Sequence, residues 1–270
     1  MKRLLIAALL CASVTLAVCF AMSQGPKLKL TSFPPQVNIN VKKNDQVDYS
    51  IDLSKQRYAI FVPPNFNSKE RFGLVVYIPP FDNWDELPGG WDSVLARHKL
   101  LLVAPQQAGN SCQHEHRLGA GIVGALAAIQ NYNLDRARIY AAGLSGGART
   151  AGGMACYQSD LFSGTIQDCG ADFYRPVPHV RSQNWTDSQG NQYGNMPVSD
   201  EDAMRARSKV RFVLITGPGD FRRGNILDLY EGGFKPLGFA CKLLDVPGQQ
   251  HADCSGETLE QALTFIETGR

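Results

Sequence analysis

One stretch constrains this chain more than any other: Arg138-Ile139-Tyr140-Ala141-Ala142-Gly143-Leu144-Ser145-Gly146-Gly147-Ala148-Arg149. An apolar run suited to a buried strand passes without a linker into Gly-x-Ser-x-Gly and on into small residues suited to a helix. A residue on so sharp a turn is pushed outward from both flanking elements, and the glycines beside it remove Cβ atoms that would collide. A serine presented in this way is a candidate nucleophile. Its hydroxyl is weakly acidic, so the chemistry demands a base nearby and a carboxylate to orient that base.

The rest of the chain supplies a scaffold of the right kind. The runs Tyr58 to Val62, Leu74 to Ile78, Leu100 to Ala104 and Phe212 to Ile215 are continuously apolar, as strands covered on both faces are. Helical spacing marks Leu118 to Tyr132, with Ile122, Leu126 and Ile129 on one face, and the final segment, with Leu259, Ala262, Leu263 and Ile266. This alternation predicts an α/β fold with a mainly parallel central sheet and helices on both faces. Ahead of it, the pattern Val37, Ile39, Val41, then Val47, Tyr49, Ile51, Leu53 predicts an antiparallel hairpin turning at Lys42 to Asp45. Residues 170–208 are polar and proline-rich, and read as an irregular insertion over the serine-bearing edge of one domain spanning 24–270.

The first residues point to export. Met1-Lys2-Arg3 precedes an apolar run from Leu4 to about Phe20, and the small Ala21 and Ser23 suit cleavage after Ser23. A signal peptide over 1–23 and a secreted or periplasmic mature chain are therefore expected. An uncleaved membrane anchor and a lipoprotein joined through Cys19 are the alternatives; the run is short for a span, and Val18 is not the small residue that usually precedes a lipidated cysteine. Removing Lys2 and Arg3 turns 27 basic against 25 acidic residues into 25 against 25. That balance argues against nucleic acid and against an anionic membrane as partners. Five of the seven cysteines stay with the mature chain, in a compartment that permits disulfides.

Of the five histidines, His251 is best placed to serve as the base. It follows the short run Leu243 to Val246 and the loop Gly248-Gln249-Gln250, and precedes the final helix. His98 sits among charged residues and reads as solvated, while His179 falls in the insertion. For the acid, Asp220 closes a strand and turn, Phe212 to Asp220, 31 residues before His251. Asp172 competes for that role, and Asp228 reads as surface charge on a helix.

Over Arg138 to Ala148, Ile215 to Asp220 and Val246 to His251, the chain resembles the secreted esterase branch of the α/β-hydrolases, which includes poly(3-hydroxybutyrate) depolymerase-like and feruloyl-esterase-like proteins. The order Ser, Asp, His is that of this superfamily. The resemblance implies hydrolysis of a small-molecule or polymeric ester through an acyl-enzyme on Ser145, with His251 as base, Asp220 as its orienting acid, and no metal or organic cofactor. A serine peptidase on the same scaffold and a catalytically silent binding relative are the alternatives. One departure stands out. Many relatives carry His-Gly after the third core strand, where a backbone N–H helps to form the oxyanion hole; here Pro79-Pro80-Phe81-Asp82 follows, and proline has no N–H. The hole then falls to Gly146 N–H with Phe81 or Asp82 N–H as second donor, and one such donor is typically worth roughly a hundredfold in turnover.

Weaker signals complete the reading. Trp84, Tyr174 and Trp185 are candidate walls of an apolar substrate groove. Cys112-Gln113-His114-Glu115-His116 has the residue types of a metal site but not a ligand spacing that favours zinc over a polar loop. Cys112, Cys169 and Cys254 are expected at the same edge of the sheet as Ser145, with a disulfide within that group; Cys156 and Cys241 are expected at the opposite edge.

Overall fold

The computed structural model describes residues 24–35, 37–182, 185–186 and 196–270. The expected leader, with Cys11 and Cys19, lies outside them. Among the described residues, ten strands run in chain order as β1 (Gln24–Lys27), β2 (Lys29–Thr31), β3 (Tyr58–Phe61), β4 (Phe72–Ile78), β5 (Glu86–Pro88), β6 (Leu100–Pro105), β7 (Leu134–Leu144), β8 (Gly164–Asp168), β9 (Arg211–Thr216) and β10 (Cys241–Asp245). Six α-helices accompany them: α1 (Trp91–Arg97), α2 (His114–Asn131), α3 (Gly146–Tyr157), α4 (Asp200–Lys209), α5 (Arg223–Leu229) and α6 (Gly256–Thr268). A π-helical turn, Tyr230–Phe234, extends α5.

The main sheet has the order β10-β9-β8-β7-β4-β6-β3-β2. Its pairings from β10 to β6 are parallel, and β3 and β2 add antiparallel strands at one side. The continuous apolar runs have the cause expected of them, because each strand feeds two cores. Along β4, Leu74, Val76 and Ile78 pack into the layer of α2, α3 and α4, while Val75 and Tyr77 pack into the layer of α1 and α6. Parallel strands share a direction, so β7, β8, β9 and β10 all deliver their following loops to one edge. This is the α/β-hydrolase architecture, and that edge carries the candidate site.

Antiparallel pairing is present near the N-terminus, but not within residues 37–53. It forms between β1 and β5 and between β2 and β3. The alternating residues Val37, Ile39, Val41, Tyr49 and Ile51 instead pack as extended coil against the helical layer. Helices rather than a partner strand satisfy their backbone: Asp48 N–H donates to Glu115 O at 3.0 Å, and Gln130 and Gln158 side chains donate to Asn38 O and Lys42 O. Alternation reports one buried face and not which neighbour covers it.

The segment 170–208 also departs from expectation at its end, where α4 begins at Asp200 under a Ser199 cap. Its start is pinned from inside the fold. Asp228 is buried rather than on the surface, and its carboxylate accepts the N–H groups of Val180, Arg181 and Ser182 at 2.8–3.1 Å. Residues 183–184 and 187–195 of this segment are not among those described.

Candidate active site

Ser145 stands between the end of β7 and the start of α3, with φ 57° and ψ −120°. A non-glycine residue there is strained, and such strain is held only by tight surroundings. Two glycines make the surroundings tight enough. A Cβ on Gly143 would lie 2.6 Å from the Ile78 carbonyl oxygen, and one on Gly147 would drive into the same oxygen. With those positions bare, β7 and α3 close onto β4, and Ser145 N–H donates to Asp168 O at 2.8 Å. The hydroxyl also sits at the positive end of α3, a setting that favours negative charge.

His251 follows β10 and links the two other expected residues. Its Nε2 lies 2.9 Å from Ser145 Oγ, and its Nδ1 lies 2.7 Å from Asp220 Oδ1. The Asp220 carboxylate is fully enclosed, its Oδ2 accepting from Thr216 Oγ1 at 2.7 Å and its Oδ1 from Arg222 N–H at 2.9 Å. Burial pushes its pKa up, yet the hydrogen bonds from His251, Thr216 and Arg222, with the charge of His251, outweigh burial and hold it below the usual carboxylate range. An acid kept ionised in this way fixes His251 with Nδ1 protonated and Nε2 turned to the serine. Asp172 does not compete. Its carboxylate takes Arg149 Nη2 at 2.8 Å and Phe173 N–H at 2.9 Å.

Beneath the triad lies a pair of acids, Asp168 buried and Asp253 half-buried, that sequence reasoning missed. Asp253, two residues past His251, accepts from the Tyr77 hydroxyl, and burial pushes its pKa up to about 6 against the hydrogen bonds from Tyr77 and Trp84. Asp168 is raised well above its ordinary value by burial and by the charge of Asp253. Its Oδ2 accepts Cys254 N–H at 2.6 Å, and its Oδ1 has no hydrogen-bond partner among the described residues. Since the Asp168 carbonyl holds Ser145, these groups tie the strand of the serine to the loop of the histidine.

The Pro79-Pro80-Phe81-Asp82 loop is clamped rather than loose. Asn110 N–H donates to Pro80 O at 2.9 Å, Gln107 N–H to Asp82 O at 2.6 Å, and Arg117 Nε to Ala108 O at 2.9 Å. The Asp82 carboxylate accepts Gly109 N–H and the Ser111 hydroxyl at 3.1 Å each. The prolines lack donors, so the clamp uses a carbonyl of theirs and the carboxylate that follows. This leaves Phe81, just past β4, as the first residue of the loop with an N–H, and Gly146 N–H opens α3, where first-turn amides lack intrahelical acceptors.

The expected aromatic walls are placed differently. Trp84, Tyr174 and Trp185 are all buried: Trp84 stacks on Tyr77 at 4.4 Å, Tyr174 packs against Phe173 and Phe239, and Trp185 stacks on His179 at 3.6 Å. Their burial sets them in packing contacts rather than on the open surface of this edge. Among the described residues, Phe81, 64% exposed, and Phe221, 70% exposed, present rings to solvent, and the Phe221 ring centroid lies 3.9 Å from that of His251.

The expected disulfide is absent, for Cys112, Cys156, Cys169, Cys241 and Cys254 are all unbridged. Cys112 donates to Gln107 O at 3.1 Å, and Cys169, behind the triad, donates to Gln250 O at 3.2 Å. Burial, Asp168 and Asp220 push the Cys169 pKa up, which keeps it a thiol although its sulfur lies within 4.8 Å of ligand-type atoms of Asp220 and His251. His114 opens α2, and burial with the nearby Arg117 and Arg149 lowers its pKa to about 4.

No family model matches the chain, and no curated protein matches it in sequence. Solved structures do match in fold. A ferulic acid esterase superposes with TM-score 0.56 at 18% identity, over 79% of this chain and 92% of that one. A poly(3-hydroxybutyrate) depolymerase from Bordetella parapertussis gives TM-score 0.51 at 17% identity, over 80% and 86%. A thermostable esterase gives TM-score 0.54 at 16% identity over 78% of this chain, which spans 58% of that structure's length. Likeness at such identities establishes the α/β-hydrolase fold.

Proposed function

We propose that this α/β-hydrolase-fold chain is a serine hydrolase of carboxylic esters acting through an acyl-enzyme. The observation that carries the reading is the unbroken hydrogen-bond chain Ser145 Oγ, His251 Nε2, His251 Nδ1, Asp220 Oδ1 at 2.9 and 2.7 Å. Ser145 Oγ attacks the ester carbonyl as His251 Nε2 takes its proton, and Asp220 stabilises the imidazolium. The Gly146 and Phe81 N–H groups receive the oxyanion. As the tetrahedral intermediate collapses, the bond to the alcohol oxygen breaks and Nε2 gives that oxygen its proton. Water then enters, His251 deprotonates it, and attack on the acyl carbon frees the acid and restores Ser145. The named activities of the structural neighbours support an ester, small or polymeric, as substrate.

Labelling with a fluorophosphonate, beside turnover of p-nitrophenyl esters of graded chain length, tests this. Ser145 carries the label and Ser145→Ala loses both readouts if the reading is right. Labelling with peptide cleavage but no ester turnover would instead mark a peptidase. We also propose export, on the basic and apolar pattern of Met1 to Ser23, and a mature chain that begins at Gln24 when its N-terminus is sequenced.

A further inference from the structure

Phe221 is a costly residue for a surface. It follows Asp220 directly, is 70% exposed, and its ring centroid lies 3.9 Å from that of His251, tilted by 31°. Its backbone is not free to swing away. Asp220 N–H donates to Gly217 O, Arg222 N–H to the Asp220 carboxylate, and Arg223 N–H to Asp220 O, so Phe221 is fixed between three bonded neighbours. The Arg222 guanidinium lies 5.2 Å from the same ring centroid, a further support for its position. A large apolar side chain held in water beside a reacting group is a feature of binding sites.

The reaction specifies which half of the ester meets it. The alcohol oxygen takes its proton from His251 Nε2 and must come within about 3 Å of that atom. Groups one to four bonds beyond that oxygen lie within reach of the imidazole and of the ring whose centroid is 3.9 Å from it. The acyl half stays bonded to Ser145 Oγ.

We propose that Phe221 is the platform for the alcohol half of the substrate and selects esters whose leaving alcohol carries a ring-sized apolar group. This rests on the ester-hydrolase reading above. The contact exists during acylation and is gone once the alcohol departs, so it acts on kcat/KM and not on deacylation of a shared acyl group.

The test compares benzyl and ethyl butyrate, which share the acyl group and differ in the alcohol, with the full-length mature chain and its Phe221→Ala, Phe221→Leu and Phe221→Trp variants. Fluorophosphonate labelling first shows that each variant retains a working serine. The benzyl-to-ethyl ratio of kcat/KM is expected to fall about tenfold in Phe221→Ala, the size of one lost aromatic contact, to fall less in Phe221→Leu, and to survive in Phe221→Trp. An unchanged ratio overturns the proposal while the esterase reading stands. So does an equal loss on both esters with a shifted pH profile, which would make Phe221 only a support for His251. A wild-type protein that cleaves neither ester overturns the esterase reading and this one with it.

Discussion

Two histidines in this molecule are each held at both ring nitrogens, at opposite edges of the same sheet, and only one keeps a nitrogen that can accept a proton. His251 has a carboxylate at Nδ1 and a serine hydroxyl at Nε2. His98 has carboxylates at both, Glu267 at Nδ1 and Glu260 at Nε2, each at 2.9 Å. Two acceptors demand two N–H donors, so the His98 ring is held as imidazolium. The Glu267 hydrogen bond, with Glu260, outweighs burial and raises its pKa. A ring that already carries both protons cannot take a third. It joins α1 to α6, while Arg138 donates to both His98 O and Glu267. The partner at the second nitrogen thus decides between a base and a rivet.

The largest expected effect breaks the catalytic side of this comparison. Ser145→Ala lowers kcat on a p-nitrophenyl ester by on the order of 10⁶-fold, measured in steady state with the folded variant. Asp220→Asn leaves the geometry but not the charge, and costs about 10⁴-fold at neutral pH. A third change reaches the acids beneath the site. The Asp253 pKa is raised to about 6, so its contribution to stability is full below about pH 4 and is lost as pH rises through 6. Asp253→Asn removes that loss, worth about 3 kcal/mol by linkage, and denaturant melts should show the variant gaining on wild type between pH 4 and 7. The smallest effect belongs to His98→Gln, with kcat/KM within about twofold of wild type and Tm lower by a few degrees. Because the folded pKa of His98 is raised, the stability gap is full below about pH 6.5 and closes as pH climbs above it.

What the chain discloses before folding follows from how local each signal is. Ser145 is announced by glycines that neighbour it in sequence, and Asp220 and His251 by the ends of apolar strands, so three candidates far apart in the chain are legible in advance, and the structure brings them within hydrogen-bond distance. His98 looked solvated because charged residues flank it, yet its side chain is only 11% exposed, since Glu260 and Glu267 come from α6. Trp84 looked like a groove wall, but Tyr77 and Asp253 claim it from β4 and the histidine loop. Phe221 and Thr216 bracket Asp220 and carried no pattern of their own. The cysteines teach the same lesson, because a shared edge of the sheet does not supply the geometry of a bridge, and all five described thiols are free. Partners contributed by distant segments are written in the packing and not in any single stretch.

The central claim is that ester cleavage passes through an acyl group on Ser145. Rapid acid quench of the protein with p-nitrophenyl butyrate, followed by mass spectrometry of the intact chain and its peptides, tests this directly. The account predicts a transient butyryl adduct on the peptide bearing Ser145, formed with a burst of p-nitrophenol and absent in Ser145→Ala. Steady ester turnover with no adduct, or with an adduct on another residue, would contradict it.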